Sequence, residues 1–252
     1  MGKRISYFLF VSTLLFGIFS CKKSDSTQSS FSKKVKTYVV DESNASGRTI
    51  DSFTVYYDAT DRILKALSPD SSILFRYLSG TTFSKQVKSD SITTLIELFY
   101  VNANNLIDSS LRYTIDGDSI KQKFEYNDQQ QLTVNRTYHF TNSQGLILHR
   151  TNDYTYDANG NRIKDVESDE LGNVMSTTNF TYGEQSADLF TIRTFFEPTA
   201  FRNLPLTEST IFSGSGNTVS SQYIYTFDEF SRVTSQTQAD NLGNTIVRTY
   251  KY

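Results

Sequence analysis

From residue 37 to residue 252 apolar and polar residues alternate, and no stretch keeps a 3.6-residue apolar period. Ile120, Phe124 and Tyr126 fall on one side of their segment, with Gln122 the exception, while Lys121, Lys123 and Glu125 fall on the other. Val219, Tyr223, Tyr225 and Phe227 likewise oppose Thr218, Ser220, Gln222 and Thr226. Tyr250 and Tyr252 repeat the pattern, which Arg248 interrupts. A period of two, rich in Tyr, Phe, Val, Ile and Thr, marks strands with one buried and one wet face. Asn, Asp and Gly clusters break these runs into hairpins. The expected fold is all-β: an antiparallel meander of long β-hairpins, roughly 14–17 strands. A sheet so wide must curl, split or close. The reading is a large curled sheet or barrel-like structure with its aromatic face inward.

A repeat underlies the alternation. Its clearest copy is YTYDANGNRI, from Tyr154 to Ile163, with weaker copies at Val55–Ile63, Phe124–Leu132 and Tyr225–Val233. The template runs aromatic, any residue, aromatic, Asp, two free positions, Gly or a polar residue, Asn or Arg, then an aliphatic residue. The residues that carry it are Tyr154, Tyr156, Asp157, Gly160, Asn161, Tyr225, Phe227, Asp228 and Arg232. Two aromatics at i and i+2 share a face and cover the turn. The Asp can accept backbone N–H bonds, and Gly160 or Asn104 can take a positive φ at small cost. A second turn, DELGNV (Asp169–Val174) and DNLGNTI (Asp240–Ile246), follows one strand later. Tyr156–Tyr182 and Phe227–Tyr252 thus read as two copies of one strand–turn–strand–turn–strand unit. The anchors Tyr57, Tyr100, Tyr126, Tyr156, Tyr182, Phe227 and Tyr252 are spaced by 43, 26, 30, 26, 45 and 25 residues, and each long gap has room for an extra hairpin.

The repeat resembles the YD repeats of the Rhs family and of bacterial wall-associated proteins, most closely over Tyr154–Tyr182 and Tyr225–Tyr252. In long members of that family the repeats wind a β-shell around a cargo polypeptide. A body of residues 37–252 is too short for such a shell, so the resemblance implies hairpin architecture without a toxin function.

The first residues follow a different pattern. Lys3 and Arg4 precede an apolar run from Ile5 to Ile18, shorter than the ~20 residues of a spanning helix and matching a signal peptide. The run ends in Ile18-Phe19-Ser20-Cys21, which resembles the lipobox of bacterial lipoproteins. That likeness implies cleavage before Cys21 and diacylation of its thiol, although Phe19 departs from the usual residue there. Two or three acyl chains anchor a protein stably where one does not. The expected organisation is a signal peptide at 1–20, a lipidated Cys and polar tether at 21–36, and a single YD-repeat-like β domain at 37–252.

Composition narrows the function classes. The chain has 252 residues with 25 Lys and Arg, 27 Asp and Glu, 2 His and 1 Cys. One Cys excludes an internal disulfide framework or a thiolate cluster. The tether carries Lys22, Lys23, Lys33, Lys34 and Lys36 against Asp25, which leaves the body, with 18 basic and 26 acidic residues, net acidic. An acidic body argues against nucleic-acid binding, while a basic tether suits anionic lipid.

No motif adds clear chemistry. Asp157-Ala-Asn159-Gly-Asn161 matches the start of a calcium loop, but Ser168 stands where a bidentate Glu is required. His139 and His149 flank one turn and lack further ligands in the sequence. Asp41–Glu42 and Asp169–Glu170 are adjacent and do not converge as a glycosidase pair must. There is no G-x-S-x-G elbow and no P-loop. The expectation is therefore a non-enzymatic, lipid-anchored protein of the cell envelope, at the outer membrane and periplasmic or surface-exposed. Its β-surface would be a binding or structural one, without cofactor or metal. Its partners would be the membrane through the anchor and a possible glycan or protein. The alternatives are an outer-membrane β-barrel and a polysaccharide-active surface enzyme.

Overall fold

The computed structural model describes residues 34–60, 62–90, 92–114, 117, 119–141, 145–186 and 203–252. Sixteen strands follow one another: β1 (Thr37–Asn44), β2 (Gly47–Tyr57), β3 (Ile63–Leu67), β4 (Ser71–Ser79), β5 (Thr82–Ser89), β6 (Ile92–Val101), β7 (Ile107–Thr114) and β8 (Ser119–Tyr126). Then come β9 (Leu132–Thr141), β10 (Gly145–Tyr156), β11 (Arg162–Asp169), β12 (Val174–Ser186), β13 (Asn203–Phe212), β14 (Thr218–Phe227), β15 (Val233–Asp240) and β16 (Thr245–Lys251). Each pairs antiparallel with its neighbours in sequence, and β1 pairs with β16, from Thr37 opposite Lys251 to Ser43 opposite Thr245. The meander therefore closes into a barrel, which leaves no sheet edge unpaired.

Closure divides the connections between two rims. The basal rim holds Val35, Tyr252 and the turns at 58–62, 102–106, 127–131, 157–161 and 228–232; the distal rim holds the connections around 45–46, 68–70, 170–173, 213–217 and 241–244. All copies of the aromatic–Asp repeat thus lie on the basal rim. They share one register: Tyr57 pairs with Ile63, Val101 with Ile107, Tyr126 with Leu132, Tyr156 with Arg162 and Phe227 with Val233, each beside a β-bulge. Bulges at a barrel rim increase twist and let a wide sheet curve round.

Two details differ from the sequence expectation. Tyr100 alternates outward, at 41 % exposure, between the inward Phe99 and Val101, and Val101 takes the anchor position opposite Ile107. In the clearest repeat copy the position after the turn that faces inward is Arg162, not Ile163, because Arg162 pairs with Tyr156 and Ile163 is the bulge residue. The long gap from Tyr57 to Tyr100 does hold an extra hairpin, with Tyr77 as an unrecognised anchor on β4. Among the described residues the gap from Tyr182 to Phe227 holds β13 and β14, and its remaining length, 187–202, lies outside them.

The inner face is apolar towards the basal rim. One buried cluster joins Tyr38, Val40, Phe53, Val55, Ile63, Ile73, Phe75, Val233 and Tyr250; another joins Phe83, Phe99, Ile107, Phe124 and Leu132. Tyr38 stacks on Tyr250 with ring centroids 5.4 Å apart, and Phe83 on Phe99 at 4.7 Å. Burying each such ring contributes about 1.5–3 kcal/mol.

Candidate functional site

The repeat residues build the basal rim. Asp157 accepts the Asn161 backbone N–H (2.8 Å) and side-chain amide (3.1 Å), and Gly160 takes φ +83°. Asp228 accepts from the Phe230 and Arg232 N–H groups and from Arg232 Nε at 2.7 Å. Asp58 does the same with Thr60 and Arg62, while Asn102 and Asn127 supply the amide version. The distal turns at Asp169 and Asp240 repeat the same bonds, so the two turn types are one device used at both rims.

These bonds favour the ionised carboxylate. The Asn173 side chain and three N–H donors hold Asp169 below its ordinary range; at Asp157 the partial desolvation that would raise the pKa is outweighed by its donors. The oxygens that a cation would need at Asp157 are thus engaged by the turn. Gly160→Ala is expected to cost about 1–2 kcal/mol, since a Cβ is strained at that φ. Chemical denaturation with an unchanged midpoint would contradict it.

The second aromatic of the repeat has a specific role. Its hydroxyl crosses the neighbouring strand pair and donates to the carbonyl where the previous hairpin restarts: Tyr57 to Val35, Tyr77 to Ile63, Tyr126 to Ile107, Tyr156 to Leu132 (2.7 Å), Tyr182 to Arg162 and Tyr252 to Val233. Phe227 fills the same position without a hydroxyl. Arg62 and Arg232 lie over the Tyr77 and Tyr252 rings at 3.9 and 4.4 Å, and Arg162 lies over Tyr154 at 5.1 Å and Phe180 at 5.3 Å. Loss of one such hydroxyl, as in Tyr156→Phe, is expected to cost about 0.5–1.5 kcal/mol, read from the urea midpoint.

Above the apolar layer the lumen is polar and charged, which period-two reading of the sequence missed because these residues occupy core positions. Lys85 and Glu97 are buried beneath 3 % exposure on facing strands and pair directly. Glu97 also accepts from Ser110 Oγ (3.1 Å) and Arg112 Nη2 (3.3 Å), and Gln122 stands beside Ser110. Burial lowers the Lys85 pKa to about 8, with Glu97 opposing that fall and Arg112 adding to it. Across β13–β16, Tyr223 donates to Glu208, Gln238 Nε2 to Ser221, Arg248 Nη1 to Gln238 (3.3 Å) and Tyr250 to Gln236. Burial raises Tyr38 to about 12, against the Arg248 guanidinium beside it. Arg150 and Glu167 pair at 2.6 Å on β10 and β11.

Between these networks the inward residues of β9–β13, among them Thr137, Asn152, Asp165, Thr178 and Thr210, are only half-buried. Arg112 Nε and Arg248 Nε are buried without a protein hydrogen-bond partner among the described residues. The lumen can therefore bind water or a polar solute, and its charges can orient one.

His139 and His149 do meet, stacked with centroids 4.3 Å apart on β9 and β10, both exposed. Among the described residues no three His, Cys, Asp or Glu side chains converge as metal ligands. Cys21 lies outside the described residues.

Fold and lumen together define a sixteen-stranded antiparallel closed β-barrel with a polar interior. Solved structures similar to it in fold include a porin-like protein from Bacteroides vulgatus (TM-score 0.60, 13 % identity, covering 86 % of this chain and 98 % of that one), and a porin-like protein from Bacteroides uniformis (TM-score 0.59, 11 % identity, covering 86 % and 97 %). At such identity the likeness is one of fold. No protein-family model matches the chain, and no curated protein matches it.

Proposed function

We propose that the protein is a non-enzymatic, lipid-anchored barrel of the cell envelope that stands in water and offers its lumen and walls to a partner. The observation that carries this reading is the outer wall. Across β12–β16 its outward rows run Thr181–Thr207–Gln222–Ala239–Thr245 and Thr226–Ser235–Thr249. Arg76, Lys121, Lys123 and Arg136 face outward at mid-height elsewhere. A spanning barrel needs an apolar belt, and each Lys or Arg facing lipid at the midplane costs about 2–4 kcal/mol. The lipobox-like Ile18–Cys21 and the polar tether supply the attachment.

A membrane-spanning barrel is the second reading. It is favoured by complete closure into sixteen strands and by the fold shared with porin-like proteins. The resemblance of the rim turns to YD repeats supports a structural origin for the hairpins under either reading.

Metabolic labelling tests the anchor. Radiolabelled palmitate is expected to enter the wild-type chain and to be lost in Cys21→Ala. Absence of label from the wild type, or equal label in the variant, would remove the anchor from the account.

A further inference from the structure

The charge of the outer wall is divided unevenly. Over β12–β16 the outward rows, from Thr177–Ile211–Thr218 to Thr226–Ser235–Thr249, carry no charged side chain among the described residues. Over β3–β9 the outward positions carry Lys65, Arg76, Lys88, Lys121, Lys123 and Arg136 against Asp108 and Glu125, and Glu125 is paired with Arg136. This wall is cationic although residues 37–252 are net acidic, because the luminal acids are matched by Lys85, Arg112, Arg150, Arg162 and Arg248 and much of the remaining acidic charge, Asp58, Asp157, Asp169, Asp228 and Asp240 among it, sits in the rim turns.

The same wall carries outward apolar residues in register with the cations, whereas the outward Ile211 and Ile224 of the β12–β16 wall stand among uncharged rows. One ladder row reads Arg76–Ser84–Leu98–Leu111–Lys121–Tyr138. Its neighbours add Ile96 beside Tyr113, and Tyr100, all 40–42 % exposed. Lysines interleaved with Leu, Ile and Tyr are the chemistry of a face that rests in the headgroup layer, where Tyr sits at the boundary and the ammonium groups meet phosphate.

From this division we propose that the outer wall of β3–β9 is a docking face for the anionic surface of a phospholipid bilayer. The inference rests on the lipid-anchored reading. A tether of residues 21–33 reaches about 45 Å when extended, enough to let the barrel lie on its side. The β3–β9 wall then meets the headgroups, and the hydroxyl-rich β12–β16 wall faces away. Several Lys and Arg side chains near such a surface together add an electrostatic hold to the acyl chains.

Residues 34–252 contain every strand of the closed ladder and lack both the leader and most tether lysines, so they isolate the wall. Their co-sedimentation is measured with vesicles of phosphatidylcholine alone and with one-third phosphatidylglycerol. Binding is expected only to the anionic vesicles, with release in high salt. The triple variant Lys65→Glu, Lys121→Glu, Lys123→Glu should bind at least tenfold more weakly. Thr207→Glu, Thr237→Glu, Thr249→Glu on the opposite wall adds charge of the same sign and should change binding less than threefold. Both variants are first shown to be monomeric, with wild-type far-ultraviolet spectra; if the first triple misfolds, Lys121→Gln, Lys123→Gln replaces it, with a loss of at least fivefold expected. No binding, equal binding to both vesicle types, equal losses in the two triples, or capture by soluble heparin with none by vesicles overturns the proposal. Palmitate labelling of Cys21 is a separate readout, so failure of the anchor and failure of the docking face are told apart.

Discussion

Replacing Glu97 by Leu should destabilise the barrel by about 3–5 kcal/mol, the cost of removing one partner from a buried ion cluster. Glu97 is 1 % exposed and Lys85 2 %. Glu97 is the anion between Lys85 and Arg112, and it accepts the Ser110 hydroxyl as well. Without it two cations remain in a low-dielectric layer directly above the Phe83–Phe99 stack. For a domain of this size the melting temperature should fall by about 6–20 °C. The triple variant Lys85→Met, Glu97→Leu, Arg112→Met should recover much of the loss, because a buried ion cluster exchanged for apolar groups is often nearly neutral. Thermal unfolding followed by circular dichroism checks both. A single variant within 1 kcal/mol of wild type would mean that Lys85 and Arg112 find water there and that the layer is not dry.

The second large effect is a stability profile that rises and then falls in alkali. Lys85 has a folded pKa of about 8, below its ordinary value near 10.5. Between those values the unfolded chain binds more protons, so stability increases with pH across that interval. Tyrosines act in the opposite direction. Burial raises Tyr38, Tyr57 and Tyr77 to about 12, and Tyr126, Tyr223, Tyr225 and Tyr250 are raised too. Their stabilisation is complete below the unfolded value near 10 and is lost as pH climbs through the folded values. Tyr38 alone, fully buried, accounts for about 2–3 kcal/mol at pH 12. The barrel should therefore gain stability from about pH 8 towards 10 and unfold cooperatively between about pH 10 and 12, with tyrosinate absorbance appearing in the same transition as loss of β structure. Lys85→Met should remove the rise and keep the fall. Gradual tyrosine ionisation ahead of unfolding would show the rings to be wet.

Much of this architecture is legible in the residues. Alternation around Phe124 and Tyr225 gives strands and their inner face, and the Asp157-to-Asn161 spacing gives the turn. Three things are not legible, for physical reasons. Closure depends on Thr37–Ser43 pairing with Thr245–Lys251, a contact between the ends of the domain that no local pattern encodes. The bulge residue Ile163 shifts register by one, which sends Arg162 inward although its residue type does not announce it, and the inward place that Tyr100 suggests belongs to the next residue, Val101. Lys85, Glu97 and Arg248 interrupt apolar stripes in sequence and look like breaks, whereas Lys85 meets Glu97 on the adjacent strand and Arg248 meets Gln238. The division of the outer wall is equally invisible in one dimension, since Lys121 and Arg76 lie far apart in sequence and share a row only after the hairpins align.

The water-facing wall is tested most directly by purifying residues 34–252 without detergent. The account predicts a soluble monomer that leaves planar lipid bilayers electrically silent. A chain that stays in solution only inside micelles, and that opens ion-conducting pores when added to a bilayer, would show that lipid, not water, surrounds the barrel.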